Sequence, residues 1–124
     1  MSAGSALQAA LANALGSEAR LTGIYDGPPA RASFPYGVID AGSEGDWSHK
    51  SGGGREVLVA LTLWDEEPVR LAELADAAEA LAGSVAAVEG WQLVSMCLLR
   101  RRTVRDVAGP WAAAIDFRAR LLAD

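Results

Sequence analysis

The chain has 124 residues, 51% of them apolar, and a formal net charge of −5 at pH 7. That suits one domain with a packed core, and the acidic balance, with a sequence pI near 4.8, excludes a protein whose whole surface grips nucleic acid, because such binding needs Lys and Arg on phosphates. A single cysteine, Cys97, cannot form an internal disulfide, so a cytoplasmic origin is the simplest expectation.

No apolar run reaches the ~18 residues of a membrane span, and the N-terminus lacks a basic region followed by a continuous apolar core. Ser5 opens an Ala-rich helix that ends near Gly16. Leu7, Leu11 and Leu15 recur every four residues with Ala10 and Ala14 beside them. Ser2 or Ser5 is the candidate N-cap, and Gly16 stands just past the end. Ser17 to Thr22 is a linker. Leu21, Ile24 and Tyr25 form either a short strand or a plug at the core edge. Asp26-Gly27-Pro28-Pro29 is a turn or extended segment, since neither proline can donate to a ladder.

A strand is expected over Tyr36 to Asp40. Ala41 to Gly54 then reads as a loop with five glycines, mixed charges and an exposed Trp47. It is the least structured stretch by composition and is expected to be mobile in an isolated subunit. Arg55 to Asp65 is the strand around which the rest is placed. Val57, Val59, Leu61 and Leu63 share one face, while Glu56, Leu58, Ala60, Thr62 and Trp64 share the other.

Pro68 stands near the first turn of a second helix. Leu71, Leu74, Ala75, Ala78, Leu81 and Ala82 make its apolar stripe, and Gly83 marks its end. Val85 and Val88 continue the core through a turn. Trp91 to Val104 is a long strand, apolar on both faces at Leu93 to Leu99 and charged from Arg100 to Arg102. Its first half is expected to be central and buried, and its second half to project from the body. After a turn at Asp106 to Pro110, Trp111 to Leu121 alternates an apolar face with Asp116, Arg118 and Arg120. These last two strands are expected to pair as an antiparallel hairpin. The whole is α+β: a mostly antiparallel sheet of four to five strands with two helices packed on one face. Leu11, Val59, Leu61, Leu74, Leu81, Ile115 and Phe117 are the expected core.

The candidate chemistry is thin. His49 and Cys97 are the only pair that suggests a base and a nucleophile, but Cys97 lies in an apolar strand, where free cysteine behaves as a small buried hydrophobe. Glu44, Asp46 and His49 suggest a metal only weakly, with one histidine in a Gly-rich loop. Lys50-Ser51-Gly52-Gly53-Gly54 has its glycines after the lysine and before a strand, the reverse of a Walker loop. No catalytic residue, metal site or cofactor is assigned. Arg100, Arg101, Arg102 and Arg105 form the one basic cluster, with Arg100 and Arg102 on one face and Arg101 on the other. A solvated strand end is the bland reading, favoured over direct nucleic-acid contact by the acidic total, and a protein contact is a third use. Trp47, an aromatic in a polar loop, suits a partner anchor.

Several pieces together carry a family resemblance. They are the Leu7 to Leu15 helix, Ile24-Tyr25-Asp26-Gly27 with Pro29, and Phe34-Pro35-Tyr36 with Val38-Ile39. Asp46-Trp47-Ser48 with Lys50, Gly54-Arg55-Glu56, the strand to Leu63-Trp64, an Ala-rich helix and a closing hairpin ending in Phe117-Arg118 complete them. In order and spacing the chain resembles the tail-completion or tail-terminator proteins of long-tailed phages and gene transfer agents, over most of its length. The resemblance implies a single tail-terminator-like domain over residues 1–124 and a structural role. Such proteins form a hexameric ring that caps the tail tube and meets the head-completion proteins, with DNA passing through without specific binding. The partners implied are further copies of the chain, the tail tube protein and a head-completion or stopper protein, with no membrane. The place implied is the bacterial cytoplasm during assembly and then the tail of the particle. The interface residues expected on this reading are Trp47, Lys50, Arg55 and Glu56 against Arg100, Arg102 and Arg105. Two other classes stand beside it: a monomeric binding module, such as a tail-assembly chaperone or adaptor, and an enzyme using Cys97.

Overall fold

The computed structural model describes residues 1–124 except Ala108. In chain order the elements are α1 (Ala3–Leu15), β1 (Ile24–Tyr25), β2 (Tyr36–Asp46), β3 (Gly54–Asp65), α2 (Pro68–Gly83), β4 (Ala87–Val88), β5 (Trp91–Arg105) and β6 (Trp111–Ala123). Ser2 is the N-cap of α1: its hydroxyl accepts the N–H of Ser5 at 3.1 Å, which satisfies one of the donors a helix start leaves over. Pro68 opens α2, where its missing N–H and fixed φ cost nothing.

The strands form one curled sheet in the order β1-β2-β3-β6-β5-β4. All neighbours are antiparallel except β1 and β2, where Ile24 and Tyr25 run parallel to Gly37 and Val38. The sheet is therefore six-stranded and mixed, not antiparallel with four to five strands. Ile24 and Tyr25 take the short-strand alternative as β1, and the strand not anticipated is β4; each has two residues, too short for a period-two pattern to register.

Alternation along β3 and β6 divides the sheet into an inner face under the helices and an outer face with no helix on it. Val57, Val59, Leu61 and Leu63 pair with Ala119, Phe117, Ile115 and Ala113 on the inner face. There they meet Leu7, Leu11 and Leu15 of α1 and Leu71, Leu74 and Ala78 of α2 in one buried cluster. Six of the seven expected core residues are buried in it, and Leu81 is half-buried against it. The α2 start is tied down by Asp65, the one fully buried charged side chain among the described residues. Its carboxylate accepts Arg70 Nε at 2.7 Å and Nη2 at 2.6 Å, and the N–H of Glu67 at 3.2 Å.

Three other expectations are corrected. The loop expected over Ala41 to Gly54 is confined to 47–53: β2 continues to Asp46 and pairs Ser43, Glu44, Gly45 and Asp46 with Leu58, Val57, Glu56 and Arg55, after an irregularity between Asp40 and Ser43. Glycine-rich composition lowered the strand signal, but the backbone of β3 offers a ladder that any residue can use. The first half of β5 is not central, because β6 lies between it and β3 and only short β4 lies beyond. Cys97 is consequently exposed rather than buried. The second half of β5 does not project from the body either: Arg100 to Arg105 remains paired with Asp116 to Trp111 of β6. The turn expected at Asp106 to Pro110 is closed by the Asp106 N–H on the Pro110 carbonyl and the Gly109 N–H on the Asp106 carbonyl; Ala108, within that span, lies outside the described residues.

Candidate assembly interface

The residues expected at an interface fall on two flanks of the sheet. On the β2–β3 hairpin, Gly54 allows the Trp47 backbone to close the turn, with the Trp47 N–H on the Gly54 carbonyl at 2.8 Å. A Cβ on Gly54 would collide with the Trp47 carbonyl. Trp47 itself is half-buried. Its ring stacks edge-on to His49 with centroids 4.5 Å apart, and the Arg120 guanidinium of β6 lies 5.4 Å from its centroid, an attractive cation–π placement. Arg120 also donates to Glu56 at 3.0 Å. Lys50 is exposed at the hairpin tip. Arg55 lies 3.7 Å from Glu44, and the Glu44 carboxylate accepts the Gly4 N–H of α1 at 3.0 Å. So Glu44 and Glu56 are engaged within the subunit, while Asp46 accepts the Ser48 hydroxyl at 2.5 Å and has no cation among the described residues.

On the opposite flank, the register places Arg100 and Arg102 on the outer face and Arg101 on the inner, as alternation requires. Arg101 reaches under the sheet to Asp76 at 2.8 Å and Glu79 at 3.3 Å on α2. Burial works against its charge, but the hydrogen bonds to Asp76 and Glu79 outweigh it and hold its pKa above the ordinary value. Arg100 lies 3.7 Å from Asp116 and stays 65% exposed. Arg105 lies over the Trp111 ring at 5.5 Å. Arg102 is exposed and has no ionic partner among the described residues.

The hairpin tip and the arginines are thus at separate flanks, and the fold does not bring them together within one subunit. Sequence reasoning missed the outer-face groove bordered by Asp40, Ser43, Leu58, Ala60, Leu99 and Asp116. It also missed Arg118, which lies between Leu58 and Cys97 and whose Nε is buried without a hydrogen-bond partner. The alternation of β6 displayed Arg118 and Arg120 on one face, but their neighbours depended on strand order. Among the described residues no group of His, Cys, Asp and Glu is arranged to hold a metal ion, and no helix is long and apolar enough to cross a membrane.

The family model described as "Tail completion protein gp17" matches residues 5–122. The chain belongs to the tail completion protein gp17 family. It is thereby a structural component of the phage-tail type. The tail-completion fold is also found in a solved chain described as "Virion of native gene transfer agent (GTA) particle". That chain is 24% identical, with a TM-score of 0.73 and 96% of each chain covered. A search of curated protein sequences gives no match. The resemblance to tail-completion proteins drawn from short, ordered sequence pieces is therefore correct at the level of family and fold.

Proposed function

We propose that this tail completion protein is a tail terminator: copies of it form a ring, a hexamer on the family pattern, that ends the tail tube and presents a surface to the head-completion protein. The observation that carries this reading is the family match across residues 5–122. The charge distribution supports it. A basic flank with Arg100 and Arg102 and a flank with unpaired Asp46 sit on opposite sides of one sheet, which suits a head-to-tail contact that closes by rotation. The Trp47 hairpin with Lys50, Arg55 and Glu56 belongs to one side of that contact and Arg100, Arg102 and Arg105 to the other. An acidic chain also repels DNA that passes through the ring. Particles are made inside the bacterial cell and the protein leaves in the tail. No step of this role is chemical.

Deletion of the gene in a producing cell tests the reading by electron microscopy of the particles. Tubes of irregular length and tails detached from filled heads are the expected result. Normal particles from the deletion strain would remove the proposal. Solution mass of the purified protein, alone and with tube protein, separates a ring from a monomeric adaptor.

A further inference from the structure

The outer face of the sheet carries its side chains in cross-strand rows that the register fixes. From β2 through β3 and β6 to β5, one row is Asp40, Ala60, Asp116 and Arg100. Toward the β2–β3 turn the next row is Ser43, Leu58, Arg118 and Cys97. Away from the turn come Val38, Thr62, Ala114 and Arg102, and then Tyr36, Trp64, Ala112 and Val104. On the two middle strands a larger side chain stands beside an alanine: Trp64 beside Ala112, Thr62 beside Ala114, and Asp116 beside Ala60. The β2 border of the face carries an acid, Asp40, and the β5 border carries Arg100 and Arg102.

This face is unfinished in the single subunit. Leu58, Leu99 and Val104 are 46%, 50% and 46% exposed, and Leu58 and Leu99 border one groove. Asp40 accepts the Gly42 N–H at 2.8 Å and has no cation among the described residues. Arg102 has no ionic partner among them, and Arg118 Nε is buried without an acceptor. Apolar side chains and unmatched charges of both signs on one uncovered face call for an occupant that carries all three. A second copy of the same face carries them. A twofold axis in the plane of contact has two settings. Set across the strands, it lays each strand on its own copy, so arginines meet arginines. Set along the strands between β3 and β6, it lays β2 on the second copy's β5 and β3 on its β6. Position along the strands is then unchanged, so symmetry makes each row meet its own copy.

We propose that two copies of this chain pack outer face on outer face about a twofold axis that runs along the strands between β3 and β6. Asp40 then stands opposite Arg100 of the second copy, with the second copy's Arg102 one row away, and accepts hydrogen bonds from them. Leu58 lies on the aliphatic stem of the second copy's Arg118. Trp64 meets Ala112, Thr62 meets Ala114 and Asp116 meets Ala60 of the second copy, so each row sets a larger side chain against a smaller one. Sheets packed in this way lie about 10 Å apart and cross at about −30°, which makes the middle rows the closest. The contact is isologous and closes at two copies. The ring contact proposed above uses Arg100 and Arg102 as well, so one subunit does not make both at once. The pair is therefore a form of the free subunit and goes beyond the tail-terminator reading.

Sedimentation equilibrium of the purified chain, without tube protein and up to about 200 μM, tests this. The expected result is a reversible equilibrium between the 12.9 kDa chain and a species of twice that mass, with nothing larger. Leu58→Arg sets a cation against the second copy's Arg118 and should weaken the pair about tenfold or more, with an unchanged circular dichroism spectrum. Asp40→Arg and Arg100→Asp should each weaken it when studied alone, because each variant sets like charges together at both ends of the row. An equal mixture of the two should pair again, because Arg then meets Asp at both ends. A chain that stays monomeric, larger oligomers in place of a pair, a pair that survives Leu58→Arg, or a mixture that restores nothing overturns the proposal. A monomeric parent whose Leu58→Arg variant fails to bind tube protein overturns it too and gives the face to that partner. The tail-terminator reading stands or falls separately, on the particles of the deletion strain.

Discussion

The Glu44 carboxylate on β2 accepts the backbone N–H of Gly4 at 3.0 Å, joining residues forty positions apart at the first turn of α1. The pairing satisfies a donor that the helix cannot use and places negative charge at the positive end of its dipole. Gly4 is needed for the approach, since a Cβ there would sit 2.5 Å from the Ala41 carbonyl oxygen and 2.9 Å from Glu44 Oε1. Glu44→Ala should therefore cost about 1 kcal/mol, read as a lower urea midpoint at unchanged slope. Gly4→Ala should cost more than Glu44→Ala, because the obstacle includes backbone. A neutral Gly4→Ala would contradict this packing.

Leu61 is 2% exposed at the middle of β3, between Ile39 and Ile115 on its neighbours. Leu61→Ala should cost about 2–5 kcal/mol as a large-to-small core change. Leu58→Ala, three residues away on the outer face and 46% exposed, should cost far less in the isolated chain. Equal costs in chemical denaturation would mean that the outer face is covered.

The Asp65–Arg70 pair makes a pH prediction. Burial pushes the Asp65 carboxyl up, but its hydrogen bonds to Arg70 and to the Glu67 and Glu66 backbone win, so its pKa lies below the ordinary value. Arg70 is held above its own ordinary value, first by the hydrogen bond to Asp65. A depressed carboxylate contributes stability that is present above its unfolded pKa, about 3.9, and is lost as pH falls through the lower folded value. Arg70→Met should therefore lower stability at pH 7, and the gap from the parent should narrow below about pH 4, where Asp65 begins to take up a proton in both chains. A gap constant from pH 7 to pH 2 would refute the assignment.

Residues 42–46 are strand and the His49–Gly52 turn closes the hairpin. Their amides should accordingly exchange more slowly than those of the exposed 26–33 segment, in place of the mobility that five glycines suggested. Trp47→Ala should leave the subunit folded, since Trp47 touches His49 and Arg120 at the rim rather than the buried cluster. Tails carrying this variant should show weakened ring assembly, with anchor losses of about 2 kcal/mol or more. Tails of normal length joined to filled heads would show that Trp47 is no anchor.

What local pattern determines was legible in the residues: two helices, the inward face of β3, the β5–β6 hairpin, and the placement of Arg100 and Arg102 opposite Arg101. Each depends on a period of 3.6 or 2 within one segment, and such periods survive any later packing. The family was legible for a related reason, since short pieces in a constant order reflect a constant order of elements. Tertiary structure alone decided who neighbours whom. Leu93 to Leu99 is apolar on both faces, and that pattern fits a central strand and an outer strand with exposed apolar side chains equally well. The insertion of β6 beside β3 put β5 outside, exposed Cys97, and left Leu98 and Leu99 to water. The glycine-rich end of β2 became strand because β3 was there to pair with it. The acids Glu44 and Glu56 found partners forty and sixty-four positions away. Strand order is a matter of long-range pairing, which no local period encodes, so the two flanks of the sheet appear only once its strands have paired.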